Sequence, residues 1–447
     1  MKLMELTGLF TILPPNPQEP LSGNNRMNVF IVGGGAREHT IAWKLSLSPK
    51  INNLYVAPGN AGTARIAENI PIEASDIEGL MLAIAERDIQ LVVVGPEIPL
   101  SKGLVDRLEE KGMAVFGPSK AAAQIEASKA FSKDFMLRHA IPAAYSRTFS
   151  NYNEAKEYAG SSSFPVVIKA DGLSQGKGVI IAATIDEAAS ALEDIMLKKA
   201  FGNAGNAVVI EEFLTGREMS AFAFTDSKFT SPLVTACDYK RIYDGNNGPN
   251  TGGMGSYSPP EFYTGDMGRE ISGTIMQPVI KYLREENRPY KGILYGGLML
   301  TNHGPKVLEF NARFGDPETQ VILPRLETDL LDVMLAISEN RLEQVLIEWS
   351  SKACVGVVMA SGGYPGKYQT GYPISGLDDV DRDIMVFHAG TTLDKQGCVV
   401  TSGGRVLSVV ATGNSIDEAR TKVYDNIKRI SYKDCYYRKD IALIKRT

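Results

Sequence analysis

Three side chains at the end of an apolar run could do chemistry together: Glu309, Asn311 and Arg313, in KVLEFNARFGDPETQ. Val307, Leu308 and Phe310 fit a pleated, half-buried strand. Successive strand side chains alternate faces, so Glu309, Asn311 and Arg313 fall on one side. Leu308 and Phe310 are expected on the other, towards a core. A carboxylate, an amide oxygen and a guanidinium on one face can hold Mg²⁺ and a multiply charged anion. Mg²⁺ prefers oxygen ligands and takes one or two carboxylates plus phosphates and water. Glu309 and Asn311 meet that requirement, whereas a transition metal would call for His or Cys. Arg313 is suited to gripping a carboxylate bidentately. Taken alone, the stretch reads equally well as an edge strand with a solvated polar face.

A second stretch, IKADGLSQGKGVI, handles anions by a different device. It is not a Walker A loop: Gly172 and Gly176 are one residue too close, Gly178 follows Lys177, and the loop joins two strands. Glycines let the backbone approach an anion and aim N–H groups at it. Lys169, ending the strand FPVVIK, would place a fixed charge over phosphates; its other reading is a snorkelling strand end. In VIEEFLTGRE, Glu211 or Glu212 and Glu218 could serve a nucleotide's ribose, although acids near a turn are more often merely solvated.

These groups need elements to hold them. Residues 28–117 alternate strand and helix, the pattern of a doubly wound parallel sheet. The loop GGGAREH that follows its first strand is not G-x-G-x-x-G, because Glu38 occupies the last glycine position. The second strand ends in APGN rather than in an acid for ribose hydroxyls, which argues against NAD. Backbone N–H groups at that helix start still suit a phosphate. From about residue 118 a helix-rich crossing closes at Pro142, and strands flank the glycine-rich loop. The stretch CDYKRIYDGNNGPNTGGMGSYSPP reads as one long loop, too poor in apolar residues to bury itself. DLLDVMLAISENRLEQVLIEW reads as an amphipathic helix. Residues 352–447 read as short strands and one helix.

A length of 447 residues implies several domains. The expected division is a leader (1–26, disordered), an N-terminal domain (27–128), a central domain (129–350, with a smaller lobe at about 143–216) and a C-terminal domain (351–447). A formal net charge of −5 argues against a nucleic-acid binder. Four widely spaced cysteines lack a C-x-x-C pair and suit a reducing, cytoplasmic setting. No apolar run approaches the ~18 residues of a membrane span. The leader packs four prolines into residues 14–20 and lacks a small-residue cleavage site.

Together these stretches resemble the ATP-grasp superfamily, and within it the glycinamide ribonucleotide synthetases. The likeness runs from Met27 onward and rests on GGGAREH, APGNAGT, VVGPE.PL..G, FGPSKAAAQIEASKAFSKDF, VIKADGLSQGKGV, GPNTGGMGSYSP, EFNARFGDPETQ and GYPGKY. RFGDPETQ is its specific signature. It implies an α/β fold with a doubly wound N-terminal domain, a two-lobed ATP-grasp domain and a small β-rich α+β C-terminal domain. It also implies ATP and Mg²⁺ (or Mn²⁺), with glycine and 5-phosphoribosylamine as substrates.

By position, Lys129 and Lys169 match the phosphate lysines, and Gly176, Lys177 and Gly178 the lid over the phosphates. Glu211, Glu212 and Leu214 match the adenine hinge, Glu218 the ribose acid, and Glu309 and Asn311 the metal ligands. Gly34, Gly35, Asn60, Gly62, Thr63, Asp238, Arg241, Asn250, Gly252 and Gly253 would surround the sugar phosphate, with Lys240 among the catalytic groups. Arg313 and Asp316 are assigned to glycine by charge complementarity. The family pattern has Asp-His-Lys-Arg where this chain has Tyr239 second. A proton-transferring His would be missed there; a packing one would not. No second metal carboxylate stands in YGGLMLT.

The expected reaction forms glycyl phosphate and then the amide bond, with no protein nucleophile. The alternatives are a silent ATP/ADP-binding protein and an ATP-grasp ligase with another acid and acceptor. A monomer or weak dimer, in transient contact with the upstream amidotransferase, completes the expectation.

Overall fold

The computed structural model describes residues 26–173 and 178–444. The leader expected at 1–26, apart from Arg26, lies outside the described residues, as do Gly176 and Lys177.

Strands β1 (Met27–Gly33), β2 (Ile51–Pro58), β3 (Glu68–Asn69), β4 (Leu91–Val94) and β5 (Ala114–Phe116) form a parallel sheet, ordered β3-β2-β1-β4-β5. The run Val29–Val32 is wholly buried, as a strand covered on both faces must be. The strand order reverses between β1 and β4, so a crevice opens at the carboxyl ends of those two strands, beside the loop after β1, the usual ligand position in such sheets.

A small lobe follows. Strands β6 (Ser146–Phe149), β7 (Val166–Ala170), β8 (Val179–Ala182) and β9 (Val208–Glu212) form an antiparallel sheet ordered β6-β9-β7-β8. Helices Tyr152–Gly160 and Ile185–Leu192 cover it, and the lobe closes its own core around Ile168, Leu192 and Ile210.

The third sheet is antiparallel and has eight strands. Its members are β10 (Arg217–Asp226), β11 (Val234–Asp238), β14 (Gly255–Ser258), β15 (Lys291–Thr301), β16 (Gly304–Asn311), β17 (Ala353–Ala360), β18 (Met385–His388) and β21 (Arg405–Gly413). Their order is β16-β15-β10-β11-β14-β17-β21-β18. Pairing passes from β14 to β17, with Ser256 opposite Gly356. Hydrogen bonding therefore continues unbroken from the central segment into the C-terminal one. Two hairpins complete the described strands: β12 (Arg241–Tyr243) with β13 (Asn247–Asn250), and β19 (Thr391–Leu393) with β20 (Val399–Thr401).

Two expectations change here. The stretch 237–260 is not a free loop: it finishes β11, makes the β12–β13 hairpin and supplies β14, whose four residues are all buried. Its glycines had masked strands that are stabilised by neighbours on both sides. The helix expected from Asp329 onward ends at Ser338, and Asn340 adopts a left-handed φ of 55°, a conformation Asn tolerates as a helix stop. Seven of its nine residues are buried, because it lies between both large sheets rather than at the surface.

Candidate active site

The strand carrying Glu309 and Asn311 departs from simple alternation. β16 carries a bulge: Glu309 pairs with Gly297 but Val307 with Leu298, leaving Leu308 as the extra residue. A bulge adds one residue without a partner and re-aims the side chains that follow. Val307 and Phe310 are consequently both buried. Leu308, expected in the core beside Phe310, joins Ala144, Leu214 and Met299 in a small separate apolar cluster. Gly297 offers no side chain opposite Glu309, and its Cβ would stand 3.5 Å from the Glu309 Cγ. Asn311 follows on the same strand.

Cations converge on Glu309. Burial opposes its charge, yet Lys169, Lys240, Lys129 and Arg313 together hold the carboxyl below the usual range. Lys169 Nζ reaches the Leu308 carbonyl at 3.0 Å and Glu211 Oε1 at 3.1 Å. The other oxygen of buried Glu211 lies 3.0 Å from Lys133 Nζ. Burial pushes the Lys133 amine down to about 8 against the pull of Glu211. Glu212, next along β9, faces outward and binds the Tyr145 N–H and Lys306. Glu211 thus turns inward towards Lys133 and Lys169, while Glu212 turns outward.

Lys129 is aimed from its helix start. Ser128 caps helix Lys129–Arg138 by accepting from the Phe131 N–H. Asp171 accepts from the Ala130 N–H at 3.1 Å. This tether brings Lys129 Nζ to the Gly172 carbonyl at 2.7 Å, at the root of the glycine-rich loop. Burial lowers the Lys129 amine, with Glu309 opposing. Gly178 closes the other end of that loop through its carbonyl, which accepts from the Ala170 N–H. Lys240 Nζ sits 2.7 Å from Glu218 Oε2. Burial works against its charge, but Glu218, Glu309 and Asp238 raise it overall.

Arg313 is held by protein groups. Its guanidinium already lies 3.0 Å from Glu97 and 2.9 Å from Glu126, and also donates to the Phe314 carbonyl. The carboxylate grip expected of it is therefore spent on two protein carboxylates. Asp316 accepts from Gln320 and pairs with Arg405 at 2.9 Å. A Cβ on Gly35 would stand 3.7 Å from Asp316 Oδ2, so this acid lies at the start of helix Ala36–Ser46.

The residues expected around a sugar phosphate divide by what each one touches. Gly34 abuts the second loop, since a Cβ there would meet the Gly59 carbonyl at 2.7 Å. Asn60 is a brace: it donates to the Gly34 and His388 carbonyls and accepts from the Gly62 and Thr63 N–H groups. Gly253 adopts φ 107°, and a Cβ on it would strike Pro317 and Asp238. Asp238 Oδ1 is buried and has no hydrogen-bond partner. Burial and Glu318 raise that carboxyl well above its ordinary range. Arg241 and Asn250 pair across the exposed β12–β13 hairpin, where Arg241 donates to the Gly248 carbonyl. The Tyr239 hydroxyl accepts from the Ala442 N–H, and its ring lies under Arg438. Position 239 packs into the C-terminal segment while Asp238 and Lys240 face the cleft.

Several participants escaped the sequence reading. Glu97, Glu126 and Tyr364 stand inside stretches quoted there, and Lys133 lies one turn after Lys129, a spacing that places both on one helix face. His39 closes the quoted GGGAREH, whereas His388 and Arg405 come from distant segments. The two histidines meet behind Gly62: the His388 N–H donates to His39 Nδ1 at 2.8 Å. A Cβ on Gly62 would lie 2.3 Å from His39 and 2.7 Å from His388. Gly62→Ala is expected to cost about 1–3 kcal/mol by overpacking, measured by denaturant unfolding.

Burial lowers both imidazoles, His39 to about 3 with help from His388 and Arg65, and His388 to about 4 with help from Arg65. Both are neutral when folded, whereas the unfolded chain protonates them below its ordinary value of 6.5. Stability present above that value is lost as pH falls towards the folded values. The expected slope is about 1.4 kcal/mol per pH unit for each histidine. Unfolding at pH 7 and pH 5 measures it, and His388→Asn should lose roughly half of that slope.

Sequence models of one family match most of the chain: phosphoribosylglycinamide synthetase N domain over residues 27–126, ATP-grasp (A) domain over 127–319 and C domain over 354–444. A phosphoribosylamine–glycine ligase of Caldanaerobacter subterraneus subsp. tengcongensis is 49% identical over 416 residues, covering 93% of this chain and 99% of that protein. The crystal structure of the Thermotoga maritima phosphoribosylamine–glycine ligase superposes with a TM-score of 0.82 at 35% identity, covering 93% of this chain and all of that one. The biotin carboxylase domain of the Hydrogenobacter thermophilus 2-oxoglutarate carboxylase, solved with MgADP and bicarbonate, shares the fold (TM-score 0.70, 16% identity, 92% of each chain).

Proposed function

The chain belongs to the phosphoribosylglycinamide synthetase family, and from that membership we propose that it joins glycine to 5-phosphoribosylamine with ATP, giving glycinamide ribonucleotide, ADP and phosphate in purine biosynthesis. The observation that carries the reading is one cleft in which Lys129, Lys169 and Lys240 surround Glu309 while the loop after β1 borders Asp316.

A carboxylate is a poor acyl donor. The glycine carboxylate attacks the γ-phosphate of ATP, giving glycyl phosphate and ADP; the phosphoribosylamine nitrogen then attacks the acyl carbon and expels phosphate. The protein's work is positioning and electrostatics, where effective molarity supplies about 7–11 kcal/mol. Ala144, Leu214, Met299 and Leu308 give the adenine ring an apolar bed beside Glu211, and Glu218 takes the ribose. Lys129 and Lys169 hold phosphates, with Lys240 beside the transferred group. Gly178 roots the lid, to which Gly176 and Lys177 also belong.

The donor set at Glu309 and Asn311 is all oxygen and fits Mg²⁺ or Mn²⁺. No cluster of three His, Cys, Asp or Glu side chains suited to a metal occurs among the described residues; Mg²⁺ commonly takes one or two carboxylates and completes its shell on phosphates and water. When bound it neutralises phosphate charge. Asp316 is assigned to the glycine ammonium, whereas Arg313 acts by holding Glu97 and Glu126. The loops bearing Gly34, Gly35, Asn60, Gly62 and Thr63, with Asp238, Arg241, Asn250, Gly252 and Gly253, enclose the sugar phosphate.

The test is ADP release from ATP with glycine alone and then with freshly generated phosphoribosylamine. Release that needs both, with glycinamide ribonucleotide in equal amount, is the expected result. Tight ATP binding without release would establish a silent binder, and release with bicarbonate or another acid would move the assignment to a different ligase. We further infer a cytosolic setting, since all four cysteines are free, and a monomer or weak dimer that meets the upstream amidotransferase transiently. Light scattering and co-sedimentation measure the last two. Among the described residues no helix is long and apolar enough to cross a membrane.

A further inference from the structure

We propose that Arg405 and Tyr364, both from the C-terminal segment, are positioning residues that fix the glycine- and sugar-phosphate-side wall of the site. The proposal rests on the ligase reading and extends it to residues that touch the turn rather than the substrates.

Arg405 opens β21 and points back into the cleft. Its Nη2 lies 2.9 Å from Asp316 Oδ2, and its Nη1 lies 3.0 Å from the Asp316 carbonyl. The same Nη1 donates to the Gly252 carbonyl and reaches the Gly253 carbonyl at 3.4 Å. Tyr364, from GYPGKY, completes the hold by accepting from the Gly252 N–H at 3.0 Å. Both main-chain groups of Gly252 are thus bound by side chains more than a hundred residues away. A Cβ at Gly252 would stand 3.0 Å from the Arg405 guanidinium carbon, so a side chain there would press that guanidinium out of place.

The surrounding packing is arranged for these two side chains. A Cβ on Gly404 would stand 2.3 Å from the Tyr364 ring. Gly390 and Gly403 touch through their backbones, with a Gly390 Cβ only 2.5 Å from the Gly403 Cα. The close approach of these segments sets the strand start from which Arg405 projects.

Electrostatics give the arrangement its purpose. Asp316, Asp238 and Glu318 crowd one side of the turn. The Ser220 and Tyr295 hydroxyls bind Glu318, but Asp238 Oδ1 has no partner. A guanidinium with fixed fork geometry can bind a carboxylate and carbonyls at once, which an ammonium cannot reproduce. Without it, Asp316 keeps only its Gln320 contact at the start of helix Ala36–Ser46, and the Gly252–Gly253 turn is held by Tyr364 alone.

The experiment uses the full chain and steady-state kinetics for each substrate, with ATP affinity measured separately by calorimetry. Arg405→Ala is expected to lower kcat/KM for glycine and phosphoribosylamine about 100-fold, the scale of a misplaced reactant, with ATP affinity unchanged. Millimolar guanidinium ion should restore part of the lost rate, which general loss of structure would not allow. Arg405→Lys should recover less than guanidinium-rescued Arg405→Ala. Tyr364→Phe, which removes one acceptor and folds by the same contacts, should lose about tenfold in the same parameter. Its effect should be less than additive with Arg405→Ala. Unchanged glycine and phosphoribosylamine kinetics in Tyr364→Phe or Arg405→Ala would overturn the proposal, as would a loss in ATP affinity of equal size. A wild-type chain that forms no glycinamide ribonucleotide would overturn the ligase reading instead, so the two failures are separable.

Discussion

Replacing Glu309 by glutamine is expected to lower glycinamide ribonucleotide formation by about 10²–10³-fold, the loss typical of removing one preorganised charge contact. The carboxylate is ionised because Lys169, Lys240, Lys129 and Arg313 outweigh the cost of burying it. Glutamine keeps the shape and one oxygen but removes the charge, so a cation placed there would rely on Asn311 and phosphate oxygens. The fold should persist, since Glu309 faces Gly297 across the strand pair and packs against no large side chain there. ADP and product formation across a Mg²⁺ titration, with a thermal melt as control, measures both parts. Near-normal turnover at saturating Mg²⁺ would remove Glu309 from the metal.

Lys169→Met carries the second large effect. Lys169 bonds to the Leu308 carbonyl and pairs with Glu211, so its charge stands where the small lobe meets the β16 bulge. Methionine keeps most of the length and none of the charge; kcat/KM for ATP is expected to fall by about 10²–10³-fold. Stability should change little, because buried Glu211 retains Lys133 at 3.0 Å. Removing both lysines is different in kind. Glu211 would then be a buried carboxylate without a cation, at a cost of about 3–5 kcal/mol, and the double variant should be destabilised by more than the sum of the single ones. Denaturant unfolding of the four proteins in the cycle measures this, and strict additivity would show that the two lysines do not share Glu211.

Where local pattern and tertiary environment agree, the sequence is legible. VFIV and LVVV are unbroken apolar runs because both faces of the parallel sheet are covered, and they emerge as β1 and β4. The motifs around Lys169, Glu309 and Gly34 converge because each sits at a strand end, where backbone direction is fixed by pairing. What the sequence conceals depends on long-range pairing. The bulge at Leu308 comes from the register of β15 against β16, and no residue in KVLEFNAR announces it. Alternation therefore misplaces Leu308 while placing Glu309 and Asn311 on one face. Gly255–Ser258 looks like loop because its strand character comes from β11 and β17 on either side. Arg313 looks like a free clamp because its partners, Glu97 and Glu126, lie some 200 residues back. Lys133 looks like a solvated helix cation until β9 brings Glu211 under it.

The unbroken eight-stranded sheet also bears on how this protein can be divided and inherited. A chain cut before Ala353 would end its sheet at β14, four buried residues with one row of main-chain donors and acceptors facing nothing. Such a margin recruits passing strands and clumps, so a shortened form would be a liability rather than a smaller enzyme. The small lobe, which closes its own core, is the natural unit for exchange between relatives. The tail is not a cassette: sequence drift there is answerable to the same ladder that carries Asp238, and the two must change together or not at all.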